Sequence, residues 1–233
     1  MNFLVELLFP RRCPVCDRPV DKMGSYICVK CQHRMKYVEG PYCLKCGKSL
    51  KDAGEEYCVD CMNAAHIFDR GRALCEYESV KDAIYRLKYE NRREYAEFFG
   101  KQLASKLGKE IQSWKAEAIV PVPLHKDREK VRGYNQAALI ARSLGNQLNI
   151  PVYENYVQRI KSTVPQKELI GKERQNNLKN AFKIGQNDVK LNTIIVVDDV
   201  YTTGATMDEI ASCLKNAGIH RVYCICLAVG RGI

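Results

Sequence analysis

The stretch IIVVDDVYTTGAT at residues 194–206 decides how the rest of the chain is read. Ile194, Ile195, Val196 and Val197 form a short unbroken run of β-branched residues, bounded by polar residues and then by Gly204. Such a run predicts a strand buried on both faces, as in a parallel sheet. Asp198 and Asp199 stand at its carboxyl end, where open α/β sheets place their ligands. Tyr201, Thr202, Thr203, Gly204, Ala205 and Thr206 then form a hydroxylated, mostly small loop. Met207, Ile210, Ala211 and Leu214 follow with the spacing of one helical face.

That order of strand, acidic pair, small loop and helix suits a phosphorylated sugar. A phosphate at a helix N-terminus meets unpaired backbone N–H groups and the positive end of the helix dipole, and small residues let the backbone come close. The hydroxyls of Thr202, Thr203 and Thr206 add donors. Carboxylates would repel a phosphate but accept hydrogen bonds from a neutral diol, which is the part expected for Asp198 and Asp199. A Walker loop would need a Gly-rich run ending in Gly-Lys-Ser/Thr, and a dinucleotide fingerprint Gly-x-Gly-x-x-Gly; this stretch has neither.

The 233 residues suffice for one domain of ordinary size and a small one, and 46% hydrophobic with 27% charged residues is a globular composition. A formal net charge of +10 calls for an anionic partner without naming it. The apolar stretch 3–9 contains Glu6, has no basic residue before it and runs into Arg11 and Arg12. It predicts a short amphipathic helix docked on the fold, or an anchor at a membrane surface, rather than a signal peptide. A cytoplasmic location with reduced thiols is expected, in one reading at the inner face of the membrane.

Eight of the twelve cysteines form four Cys-x-x-Cys pairs, Cys13/Cys16, Cys28/Cys31, Cys43/Cys46 and Cys58/Cys61, repeating every 15 residues. Each turn points two thiolates at one ion, and two turns complete a closed tetrahedral site. Two structural Zn²⁺ ions are expected, within a zinc-binding domain at residues 1–65. Sequential pairing closes the shortest loops and so costs the least entropy, while a cross-brace stays open. Residues 1–65 hold ten basic and eight acidic residues, so the basic excess lies in residues 66–233, at +8. The zinc module therefore reads as a scaffold or docking surface.

Further along, residues 72–77 predict a strand, 80–88 and 93–107 amphipathic helices, and the region of Trp114 a polar connection. A strand at 117–123 ends in VPVPLH (residues 120–125) and enters a loop carrying Lys126, Arg128, Lys130 and Arg132 beside His125, which would suit pyrophosphate oxygens. Residues 136–148 predict a helix, 152–157 a strand and 220–229 a last strand, in which Cys224 and Cys226 share one buried face. Residues 159–190 carry eight basic and three acidic residues and predict a long basic flap over the phosphate site, with Gln166, Lys167 and Arg174 as contacts.

The run VVDDVYTTGAT resembles the signature of the type I phosphoribosyltransferases, which bind 5-phosphoribosyl-1-pyrophosphate (PRPP). With Cys13-Pro14-x-Cys16, VPVPLH, the Arg132-Gly133-Tyr134-Asn135-Gln136 run and Val164-Pro165-Gln166-Lys167 in the same order, the chain resembles the ComF family of competence proteins, of the ComFC type. The resemblance implies a mostly parallel α/β sheet flanked by helices at residues 66–233, after a double zinc ribbon. It implies that Asp198 and Asp199 hold the ribose diol and that the loop of Thr202, Thr203, Gly204, Ala205 and Thr206, beginning beside Tyr201, holds the 5′-phosphate. Leu124, His125, Arg128 and Arg132 would take the pyrophosphate, with Mg²⁺ bridging. It further implies a role in natural transformation, with single-stranded DNA on Lys126, Lys130, Lys161, Lys167 and Arg174 and a ComF helicase as partner. Transfer of phosphoribose to an unidentified acceptor and a non-catalytic adaptor for a helicase or membrane complex are the alternatives; no stretch identifies a base pocket.

Overall fold

The computed structural model describes residues 10–22, 24–161, 180–186 and 189–230. Among them run six strands, β1 (Arg70–Glu76), β2 (Ala118–Pro121), β3 (Val157–Arg159), β4 (Phe182–Ile184), β5 (Thr193–Tyr201) and β6 (Arg221–Val229). The helices are α1 (Val59–Met62), α2 (Tyr77–Tyr89), α3 (Tyr95–Ser113), α4 (Lys126–Arg132), α5 (Gln136–Leu148) and α6 (Ala205–Asn216). Four strands form a parallel sheet in the order β1-β6-β5-β2, and β3 pairs with β4 in a separate antiparallel ribbon.

The apolar run of β5 is buried on both faces as expected, because the sheet is covered on both sides. Ile195 and Val197 pack with the apolar stripes of α2, α3 and α5. Ile194 and Val196 pack with Met207, Ile210, Ala211 and Leu214 of α6. All four residues of the run are fully shielded from water, which contributes about 1.5–3 kcal/mol for each side chain of this size. Helices α3 and α5 cross so closely that a Cβ on Gly100 would lie 2.3 Å from the Ser143 side chain and 2.9 Å from the Leu144 nitrogen. Only glycine permits that approach.

The cysteines cluster sequentially. Cys13, Cys16, Cys28 and Cys31 form one group and Cys43, Cys46, Cys58 and Cys61 the other, with all sulfurs of a group within 4.8 Å of one another. Sulfur pairs Cys16/Cys28, Cys13/Cys28 and Cys46/Cys58 stand 3.7 Å apart. A tetrahedron with Zn–S bonds of 2.3 Å has edges of about 3.8 Å, so each group has the dimensions of a closed zinc site.

The cysteine module does not hang free of the sheet. Tyr37 bridges Cys75 in antiparallel fashion, with the Val38 N–H donating to the Leu74 carbonyl (2.9 Å) and the Glu76 N–H to the Lys36 carbonyl (2.8 Å). The outer edge of β1 is thus occupied by the module. Asp17 accepts from Arg92 (2.9 Å) and from the Tyr95 hydroxyl. Tyr26 donates to Glu97 (2.6 Å), and Arg72 stacks on the Tyr42 ring at 3.4 Å.

Three sequence expectations give way here. Residues 126–132 are a helix, not a loop, although none of their side chains is buried. Its ends hold it: the His125 ring accepts from the Asp127 N–H, and Gly133 closes the far end in the left-handed conformation. The strand expected at 152–157 is a lone bridge from Val152 to Ile119, followed by β3. Trp114 is 8% exposed and stacks on Tyr223, with ring centroids 4.5 Å apart and planes 9° from parallel. The expected flap begins in β3 and ends in β4; Gln166, Lys167 and Arg174, like the stretch 3–9, lie outside the described residues.

Candidate functional site

A cleft of about 630 Å³ opens at the carboxyl ends of β2 and β5. Asp198, Asp199, Thr202 and Thr206 line it from β5 and the turn into α6. Leu124 enters from beyond β2, Arg128 and Arg132 from α4, Arg159 from β3, and Lys88 from α2. Strands end here and helices begin, so the topology gathers these residues from five separate segments.

Neighbouring residues on a strand point to opposite faces, and the two aspartates therefore meet different company. Asp199 turns toward α2 and α5. It forms an ion pair with Lys88 and accepts a hydrogen bond from the Gln136 amide (3.0 Å). Arg132 in turn donates to the Gln136 carbonyl oxygen. Asp198 accepts from the Asp199 backbone N–H (2.8 Å) and has Arg159 and Lys88 as its nearby cations.

These surroundings drive the two acids apart. Burial raises Asp198, and the neighbouring Asp199 charge raises it further, so it is held well above the ordinary carboxylate range. Burial also pushes Asp199 up, but the Lys88 ammonium and the Gln136 amide outweigh it and the net shift is downward. Lys88 loses from burial and gains more from the two carboxylates, ending above its ordinary value. Burial brings Arg159 down to about 10, with Arg128 acting in the same sense. Cations that repel one another in a dry cleft are relieved by an anion.

The turn beyond β5 has the features of an anion cradle. Gly204 precedes α6 in the left-handed conformation (φ +82°), and among the described residues no side chain caps the helix. The positive end of the α6 dipole faces this turn. The Thr203 hydroxyl is buried and has no hydrogen-bond partner among the described residues. A Cβ on Gly204 would lie 2.5 Å from the Tyr201 hydroxyl and 2.8 Å from His66. His66 is the keystone of this corner. Its Nδ1 meets the Asp208 carboxylate (2.7 Å), its Nε2 meets the Tyr201 hydroxyl (3.3 Å), and its ring stacks on Phe68 at 5.0 Å. Phe68 and Tyr201 share a buried cluster with Cys43, Cys46 and Cys58, so the turn rests on the second cysteine group.

Of the residues expected at the site, Leu124, Arg128, Arg132, Asp198, Asp199, Thr202 and Thr206 come together on the cleft wall. Thr203, Gly204 and Ala205 shape the turn behind it, Tyr201 is buried against His66, and His125 caps α4. Lys126 and Lys130 are exposed on α4 and Lys161 is exposed beyond β3, away from the lining; Lys167 and Arg174 lie outside the described residues. No local sequence signal assigns Lys88, Gln136 or Arg159 to the site. Lys88 sits off the buried stripe of an amphipathic helix, and Gln136 is 4% exposed at a helix start; only their distant partner, Asp199, explains them.

Comparison with known proteins agrees with both halves of this picture. Residues 4–62 match a double zinc ribbon domain and residues 131–232 a phosphoribosyl transferase domain. Competence protein F of Haemophilus influenzae is 44% identical over 108 residues, covering 46% of this chain and 47% of that one. Competence protein ComFC of Bacillus subtilis is 32% identical over 141 residues, covering 60% and 55%. The chain is a homologue of these competence proteins. The DNA utilization protein YhgH of Escherichia coli K12 is 38% identical over 112 residues, covering 47% of this chain and 49% of that one. The chain spans about half the length of these curated relatives. Matching a double zinc ribbon, the two cysteine groups are structural zinc sites. Among the described residues no helix is long and apolar enough to cross a membrane.

Proposed function

We propose that the cleft binds PRPP or a closely related phosphoribosyl ligand, and that the protein serves DNA uptake in natural transformation by also holding single-stranded DNA. One observation carries the ligand reading: an uncapped helix N-terminus, an acidic pair and three arginines converge on a single cleft. In this reading the turn of Thr202, Thr203 and Thr206 takes the 5′-phosphate. The Thr203 hydroxyl, unpartnered among the described residues, and the uncapped start of α6 suit it. Asp198 takes ribose hydroxyls, and Asp199, already held by Lys88 and Gln136, orients them. Arg128, Arg132 and Arg159 neutralise the pyrophosphate. Mg²⁺ would arrive on the ligand's own phosphate oxygens.

Residues 1–65 act as the zinc module and residues 66–233 as the ligand domain. The role in DNA uptake is supported by relatives named for competence and DNA utilization and by the +8 balance of residues 66–233. A helicase at the cytoplasmic side of the uptake machinery is the partner we assign to the exposed zinc ribbon. Thermal unfolding with and without PRPP and Mg²⁺ tests the ligand. At 100 times its dissociation constant a ligand adds about 2.7 kcal/mol, a rise of several degrees for a chain of this size. No rise at millimolar PRPP with Mg²⁺ sinks the reading.

A further inference from the structure

Helix α2 has two stripes. Val80, Ala83, Ile84 and Leu87 are buried against the sheet. On the flank beside them Tyr77, Lys81, Tyr85 and Tyr89 recur every four residues, with Lys88 among them, and all five line the cleft, as do Glu78 and Asp82. Tyr85 is 52% and Tyr89 58% exposed. Their ring centroids are 5.0 Å apart, and the Arg132 guanidinium lies 5.3 Å from the Tyr89 centroid. A single exposed tyrosine requires no explanation. Two side by side, interleaved with cations on the rim of a polar cleft, do.

We propose that this stripe is a stacking platform for single-stranded nucleic acid, which seats a base on Tyr85 and Tyr89 at the mouth of the cleft. Aromatic faces interleaved with cations bind single strands through base stacking and backbone neutralisation, with little dependence on sequence. The +8 balance of residues 66–233 supplies the charge complementarity. Lys81 is paired with Glu78 at 2.9 Å, an exposed contact that a backbone phosphate displaces at little cost. A free base is the poorer occupant, because small ligands are enclosed by their pockets while both rings keep more than half their surface in water. The proposal deepens the reading of the cleft given above, by naming the wall that meets the strand.

The test is fluorescence anisotropy with a labelled oligothymidylate of about fifteen nucleotides, near the upper site size of single-strand modules. Tyr85→Ala/Tyr89→Ala should weaken binding about 5- to 150-fold, the effect of losing one stacked base, while Tyr85→Phe/Tyr89→Phe keeps it. An abasic strand of equal length should bind the wild type as weakly as oligothymidylate binds the alanine variant. Equal binding of abasic and base-bearing strands, or an unchanged alanine variant, overturns the platform. So does thymidine monophosphate competing as well as the strand, which would make the occupant a free nucleotide. The PRPP-dependent thermal shift is read on the same preparations. A shift that persists in the alanine variant while strand binding falls supports the platform. A wild type without the shift counts against the phosphoribosyl reading alone, since the anisotropy still decides the platform.

Discussion

Lys88 on α2 and Asp199 at the end of β5 meet as a buried ion pair, with the lysine side chain 19% and the aspartate side chain 5% exposed. Removing one partner strands the other in a dry site, which typically costs about 3–5 kcal/mol. Asp199→Asn should therefore lower the denaturant midpoint markedly, and Lys88→Met/Asp199→Asn should recover much of the loss. Asp198→Asn removes a like charge that burial disfavours, so that variant should be as stable as the wild type or more so. Equal losses in Asp198→Asn and Asp199→Asn would contradict the assignment of the ion pair to Asp199.

The two aspartates set opposite pH dependences. Asp199 is held below the ordinary carboxylate value, so its contribution is present above that value and is lost as pH falls through the depressed one. Asp198 is held above it, so its contribution is full at acid pH and is lost as pH rises through the raised value. Asp198→Asn mimics the protonated acid. Its stability advantage over the wild type should therefore grow from pH 4 toward pH 8, as read from urea unfolding at each pH.

Zinc content and ligand binding should fall together, but unequally for the two sites. Wild-type chain should release two zinc ions on thiol modification, and Cys13→Ser or Cys46→Ser one. Because His66, Phe68 and Tyr201 rest on the second group, Cys46→Ser should also abolish the PRPP-dependent thermal shift. Cys13→Ser, whose group packs on the far side against Tyr95 and Arg92, should retain it. His66→Ala should weaken PRPP while leaving both zinc ions bound. A variant that binds PRPP as the wild type does would remove the imidazole from the cradle.

Trp114 is the sole tryptophan, and its stack on Tyr223 makes it a reporter for the amino end of β6. Its emission should be blue-shifted in the folded chain and move red in the same transition that circular dichroism follows. Trp114→Ala should cost about 3–5 kcal/mol, in the range of large-to-small core substitutions.

What was legible in the sequence follows from range. The unbroken run at 194–197 and the periodicity of 136–148 are local signals of burial, and both elements form where expected. Sequential grouping of the cysteines also followed from local entropy. Helix α4 was missed because no apolar stripe specifies it: Val131 is 92% exposed, and caps alone define the element. Lys88, Gln136 and Arg159 were missed because their meaning lies in partners far along the chain. A tryptophan set among polar neighbours at a helix end likewise gives no hint of a tyrosine waiting on a distant strand.

The contact of residues 36–38 with β1 has a consequence for anyone wishing to cut this chain in two. Removing the cysteine module would leave the Leu74 carbonyl and Glu76 N–H unpaired on an apolar edge strand, an open template for another copy. The isolated 66–233 fragment should thus form oligomers or precipitate in sedimentation experiments where the whole chain does not. The zinc module would then be the lid on an adhesive margin, protecting its neighbour from self-association whatever else it docks.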